Sequence, residues 1–120
     1  GIKPILNTNG LALDRQFLIE LKRAGLKGLT LHIDSKQRRP HWRGKSEIEL
    51  NELRLQFAQL IAEVGGMSCA FNSTVYDDTL ESVPDLVDWA QRHIDIHLKT
   101  AFSTSPGDCQ YNEPFRCRQR

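Results

Sequence analysis

Long apolar runs are missing from this sequence. Nowhere do 18 apolar residues follow one another, so no segment reads as a membrane-spanning helix, and the N-terminus has no signal-peptide pattern. An excess of one charge is missing too: 16 Lys and Arg face 15 Asp and Glu, for a net charge of +1. That balance gives no long-range attraction to nucleic acid or to an anionic membrane. Cysteine is scarce. Cys69, Cys109 and Cys117 make an odd number that fits no disulfide framework, and a reduced, cytoplasmic setting is the default expectation. Cys69 sits in an apolar run and reads as a buried small hydrophobe, whereas Cys109 and Cys117 fall in an irregular stretch where they would pair or stay free. There is no Ser/His/Asp triad, no Walker-type phosphate loop and no Gly-x-Gly-x-x-Gly. His32, His41, His93 and His97 show no metal-ligand spacing, so a zinc site is not expected. The first residue is Gly, not Met, from which an upstream part is expected to have been removed or left out.

What is present is ordinary globular composition, 39% hydrophobic and 26% charged, in 120 residues. That length supports one core but falls short of a complete (β/α) barrel, which needs roughly 250 residues. Ile2 to Leu6 reads as a strand, with Pro4 at its start or on an edge, ending in Asn7-Thr8-Asn9-Gly10. Asp14 caps a helix whose Phe17, Leu18, Leu21 and Ala24 share a face. Gly25 ends it, and Lys22, Arg23 and Lys27 sit where cations suit a helix C-terminus. Gly28 to Ile33 is a second strand, closed by Asp34-Ser35. The basic run from Lys36 to Lys45, with Pro40 and Trp42, reads as a solvated loop.

Ser46 and Glu49 form a capping box before the strongest helical pattern, Leu50, Leu53, Phe57, Leu60, Ile61 and Val64, which stops at Gly65-Gly66. Met67 to Phe71 is a third strand ending in Asn72-Ser73-Thr74. Ser82 caps a third helix with Pro84 in its first turn, and Val83, Leu86, Val87, Ala90 and Ile94 on its inner face. Trp89 falls at helical spacing, as core residues do, and Asp95 to Leu98 is a fourth strand.

The expected fold class is therefore α/β: a parallel-sheet βαβαβαβ segment of a (β/α) barrel over residues 1–99, with an irregular tail over 100–120. A parallel sheet carries its chemistry at the carboxyl ends of its strands, which puts Asn7 to Gly10, Asp34-Ser35 and Asn72 to Thr74 on one rim.

Those strand ends carry a resemblance. Thr8-Asn9-Gly10, a helix ending in Ala24-Gly25-Leu26 and the strand end Ile33-Asp34-Ser35 resemble the middle of a radical S-adenosylmethionine (SAM) enzyme barrel. Asn72-Ser73-Thr74-Val75-Tyr76 and Val83-Pro84-Asp85-Leu86-Val87-Asp88-Trp89-Ala90 are similar to the next strand and helix of some members. The resemblance implies a parent enzyme that binds a [4Fe–4S] cluster through a Cys-x3-Cys-x2-Cys loop and cleaves SAM to a 5′-deoxyadenosyl radical. Neither that cysteine loop nor a Gly-Gly-Glu-Pro-like strand end occurs here, so the resemblance implies an internal piece that is inactive alone.

Under the resemblance, the cofactor-binding candidates are Thr8, Asn9, Asp34, Ser35, Arg43 and Asn72. Thr8 and Asn9 would touch SAM at the barrel mouth; otherwise they form a strand-to-helix turn. Asp34 and Ser35 would lie near the methionyl or ribose part, since a carboxylate accepts from two hydroxyls, or would open the long loop as an Asx-type turn. Arg43 would pair with the SAM carboxylate, or would be a solvated charge, the reading its basic surroundings favour. The Asn72 amide would hydrogen-bond SAM or substrate, or a neighbouring backbone group. His32 faces opposite to Leu31 and Ile33. No catalytic residue and no metal ligand is expected in this chain.

Two other readings compete. One is a segment of an unrelated (β/α) barrel, since fold alone does not fix function. The other is a non-catalytic α/β fragment that self-associates as a homo-oligomer through open sheet edges, because four strands cannot close a barrel. Either way the expected partners include no nucleic acid and no membrane.

Overall fold

The computed structural model describes residues 1–93, 98–104, 110–111 and 117–118, with side-chain surroundings for 1–93. Four strands run parallel in sequence order: β1 (Ile5–Thr8), β2 (Gly28–His32), β3 (Ser68–Val75) and β4 (Leu98–Thr104). Two short antiparallel strands follow, β5 (Gln110–Tyr111) and β6 (Cys117–Arg118), giving the order β1-β2-β3-β4-β5-β6. The sheet is open. This corrects the barrel segment expected from the sequence. Alternation of strands and helices sets parallel pairing and neighbour order, but closure needs strand number, tilt and stagger to agree around a ring. Here β1 and β6 lie at opposite ends of the order, and the last two strands reverse direction.

Helix α1 (Arg15–Arg23) follows β1, α2 (Asn51–Val64) follows β2 and α3 (Val83–Arg92) follows β3. All three pack on one sheet face. Leu29, Leu31, Ile33, Cys69 and Phe71 are 0–1% exposed and share a core cluster with Leu18 of α1, Leu53, Ala58 and Ile61 of α2, and Ala90 of α3. Side chains alternate across a strand, so the register sends Ile5, Asn7, Thr30, His32, Ala70, Asn72 and Thr74 to the other face. These are half-buried or exposed, and among the described residues no helix covers them. A parallel sheet is normally covered on both faces, so this one-sided arrangement is unusual.

Local chemistry explains the element ends. Asp14 Oδ1 accepts from the Phe17 backbone N–H at 2.8 Å. Gly25, at φ +99°, ends α1 in a Schellman arrangement: Leu26 N–H donates to Leu21 O and Gly25 N–H to Lys22 O. The α1 face is narrower than expected: Leu18 is fully buried, while Phe17 and Ala24 are exposed. Only half of the capping box forms. Glu49 N–H donates to Ser46 Oγ at 3.2 Å, but α2 begins at Asn51, because neighbouring Glu47 is drawn inward. The Ser82 side chain caps nothing. A 3-10 turn over Leu80–Ser82 precedes α3, and Thr79 Oγ1 accepts from Tyr76 N–H instead.

The third strand extends to Val75, beyond the expected end at Phe71, because its ladder with β4 continues through Val75 and Thr104. Trp89 packs against the core, 6.5 Å from the Phe71 ring. Expectations for Ile94, His97 and the strand start at Asp95 lie outside the described residues, as do those for the Cys109 and Cys117 side chains and most of the tail over 100–120.

Candidate functional site

At the carboxyl ends of β2 and β3 the chain places two polar clusters, one on each side of the sheet. On the helix side, Arg54 of α2 is 2% exposed. Its Nη2 donates to Glu47 Oε2 at 2.9 Å, Ile33 O at 3.0 Å and Ser73 Oγ at 3.1 Å, and its Nη1 donates to Glu47 O at 2.8 Å and Asn51 Oδ1 at 2.9 Å. Ser73 Oγ donates to Ile33 O at 2.7 Å, and Glu47 Oε1 accepts the Ser35 backbone N–H at 2.6 Å. Burial pushes the Arg54 guanidinium below the ordinary arginine value, while the Glu47 hydrogen bond and charge hold it up. A buried ion pair survives when its remaining donors and acceptors are also satisfied, and this network meets that condition. It closes the base of the long loop between β2 and α2.

The second cluster faces the uncovered side. His32 Nε2 lies 2.8 Å from Asp34 Oδ2 and 3.3 Å from Thr74 Oγ1. A carboxylate only accepts, so Nε2 is the donor to Asp34, on a ring whose side chain is 37% exposed. Asp34, with a side chain 3% exposed, also accepts Lys36 N–H at 2.9 Å through Oδ1. Gln37 ties the turn: its Oε1 accepts Asp34 N–H and its Nε2 donates to His32 O. Arg39, 8% exposed, reaches back across the rim to donate to Asn9 O at 2.5 Å and to His32 O and Gln37 Oε1 at 3.3 Å. Desolvation lowers the Arg39 pKa, opposed by the charge of Asp34. Among the described residues two buried side-chain polar atoms have no hydrogen-bond partner, Arg39 Nε and Asn72 Oδ1. Chemically, the cluster offers an imidazole oriented by a carboxylate, a hydroxyl, and an amide with an uncommitted acceptor.

The expected cofactor-binding residues do not converge on one point. Asp34 and Asn72 share the uncovered side with His32, to which Asn72 is the register neighbour. Thr8 pairs in register with Leu31 and so faces the helices; its Oγ1 accepts Gly10 N–H at 3.1 Å. Asn9 Oδ1 accepts Leu11 N–H at 3.0 Å, a turn contact, and Gly10 is forced there by φ +79° and by Phe57 Cζ, 2.8 Å from where a Cβ would sit. Ser35 uses its backbone N–H on Glu47, and Arg43 is exposed in the loop. Sequence reasoning missed Arg39, Glu47 and Arg54, and placed Thr74 on the rim without a role. The signal for Arg54 was available, since it stands on the apolar stripe of α2 between Leu50, Leu53 and Phe57, where an arginine needs a buried partner.

The radical SAM resemblance is corrected by these observations. Its barrel is replaced by an open sheet. Among the described residues no group of three His, Cys, Asp or Glu side chains could hold a metal ion. An iron–sulfur cluster takes thiolates, and Cys69 is buried with its thiol pushed up to about 12, so it stays protonated and does not fit. No family model, no curated protein and no solved structure matches this chain. Among the described residues no helix is long and apolar enough to cross a membrane.

Proposed function

We propose that this chain is an association domain that pairs with a second copy of itself through the open edge of its sheet at β1. The carrying observation is a coincidence of two features. Among the described residues β1 is hydrogen-bonded on one side only, by β2. Of the six exposed large hydrophobic residues among those described, four belong to the segment around that edge: Ile2 at 95%, Ile5 at 49%, Leu11 at 61% and Phe17 at 38%. Unpaired strand edges invite pairing with another chain, and exposed apolar groups rimming one supply the burial that backbone hydrogen bonds alone do not.

An isologous, antiparallel pairing centred on Leu6 sets Leu6 against its own copy and Ile5 opposite Asn7 of the second copy. Leu6 is half-buried against the core, so this register continues the helix-side core across the junction. Lys3 and Pro4 flank the strand and confine pairing to a short stretch, which favours a closed dimer over a fibre.

The test is molar mass by light scattering. The unmodified chain is expected at dimer mass in high salt, and Ile5→Lys combined with Asn7→Lys is expected at monomer mass with an unchanged circular dichroism spectrum, since both side chains are exposed. A monomer at high concentration for the unmodified chain, or an undisturbed dimer for the double variant, overturns the proposal.

A further inference from the structure

Charge in this chain is balanced in total but segregated in place. Residues 36–45 carry five bases (Lys36, Arg38, Arg39, Arg43, Lys45) and no acid, while residues 77–88 carry five acids (Asp77, Asp78, Glu81, Asp85, Asp88) and no base. The first segment follows β2 and the second follows β3, so the fold sets them side by side at one end of the sheet. Lys36 Nζ joins them, 2.5 Å from Asp78 Oδ2 and 5.5 Å from the Tyr76 ring centre; that hydrogen bond raises the Lys36 pKa and lowers that of Asp78. The remaining ion pairs of this end, Lys45 with Glu49 and Asp88 with Arg92, do not engage Arg38 or Arg43 on the basic side, nor Asp77, Glu81 or Asp85 on the acidic side. All five of those side chains are exposed.

The basic loop is held, not loose. Arg39 is buried beneath it on the Asn9 and His32 carbonyl groups, Trp42 packs against the core, and Glu47 fixes its base through Ser35 and Arg54. Two of its non-glycine residues, Arg38 at φ +49° and His41 at φ +67°, sit in the left-handed region. Such strain persists where the surroundings over-determine it, and here it holds Arg38 and His41 exposed on either side of the anchored Arg39. A preorganised charged loop loses little side-chain and backbone freedom on docking.

We propose that this end of the sheet is a second docking surface for another copy of the chain, in which the basic loop 36–45 of each copy lies on the acidic segment 77–88 of the other. Adjacent patches of opposite sign are self-complementary under a two-fold axis passing near the Lys36–Asp78 seam, which turns each basic loop onto the opposite acids. The occupant is fixed by charge complementarity within the chain itself: an unrelated polyanion would meet the acids beside the loop, whereas a second copy presents the matching order of charges. Because the contact is electrostatic and exposed, it depends on ionic strength. It extends the self-association reading to a second surface, and the two are separable by experiment.

The separating background is Ile5→Lys with Asn7→Lys, which removes the β1 contact. In that background, sedimentation at about 10 mM salt, where the screening length is about 30 Å, is expected to give dimer mass; at about 1 M salt, where it is about 3 Å, monomer mass. Adding Arg38→Glu and Arg43→Glu, or instead Asp77→Lys and Glu81→Lys, is expected to weaken low-salt association at least about tenfold, because each leaves like charges facing one another. Mixing those two charge-reversed proteins is expected to restore it, since the reversed loop then meets the reversed segment and the unmodified loop the unmodified acids. Association of the background that ignores salt, or a mixture no tighter than either reversed protein alone, overturns the proposal. Failure at β1 reads differently, as monomer mass for the unmodified chain in high salt, where the charge contact is screened.

Discussion

Ile33 and Asp34 are consecutive residues, yet the polar clusters built on them obey different rules. On the helix side, Arg54, Glu47 and Ser73 are 2–4% exposed, and the guanidinium makes five hydrogen bonds. On the uncovered side, His32 Nε2 pairs with the Asp34 carboxylate, which is as buried as Glu47, but the ring is partly in solvent and the neighbouring Asn72 Oδ1 is buried without a partner. The same chemistry is structural where it is sealed by helices and available for contact where it is not. What differs is the carboxylate's partner: the His32 ring reaches water and the Arg54 guanidinium does not, so water can replace the first and not the second.

Breaking the sealed cluster should therefore have the largest effect. Arg54→Leu keeps an apolar volume on the α2 stripe but strands the Glu47 carboxylate in the interior, while Ile33 O keeps its Ser73 donor. Urea unfolding is expected to show a loss of about 3–5 kcal/mol. A second replacement, Glu47→Leu, removes the orphaned charge and should recover much of that loss, even though it deletes a further hydrogen bond to Ser35. A double variant as unstable as Arg54→Leu would mean that the guanidinium acts through packing and not through charge.

The helix side also contains the chain's sealed thiol. Burial pushes Cys69 from 9.0 to about 12, so the folded thiol stays protonated where an unfolded one ionises. The folded pKa is raised, so the stability contribution is intact below pH 9 and is lost as pH rises towards 12. Between pH 9 and 10.5 the loss attributable to Cys69 is about 2 kcal/mol. It is read as the difference in unfolding free energy between the chain and Cys69→Ala at each pH, because lysine and tyrosine titration affects both alike. Peptide mapping after iodoacetamide treatment at pH 8 should leave Cys69 unmodified in the native chain and modify it in urea. A Cys69→Ala chain with the same high-pH slope would show that the thiol is not insulated from water.

The two faces also explain what could be read in advance. Strand and helix positions were legible because they rest on local signals: Asp14 before an apolar stripe, Gly25 and the Gly65-Gly66 pair at helix ends, alternation in Gly28 to Ile33. Which residues face the same way was only partly legible. A third strand read as ending at Phe71 puts Asn72, Ser73 and Thr74 together on one tip. In the structure the strand runs on, so Ser73 turns to Arg54 while Asn72 and Thr74 turn to His32. One register decision thus divides the candidate site in two. Closure was not legible at all, because a βα repeat has the same local pattern in an open sheet as in a ring. The charge segregation was visible only in part. The basic loop stood out as a run, but its acidic counterpart is spread through a helix start, and only the topology brings the two together.

The smallest expected effect is on the uncovered face, and it tests the contrast most directly. His32→Ala removes the partner of Asp34 Oδ2, as Arg54→Leu removes the partner of Glu47 Oε2. Asp34 keeps its Lys36 N–H contact, and deleting a ring that is already 37% exposed lets water reach the freed oxygen. Unfolding measurements should therefore show a loss of about 1 kcal/mol, the low end of the cost of unpairing a buried acceptor, because water replaces the ring. If His32→Ala instead costs as much as Arg54→Leu, the uncovered face is sealed in solution.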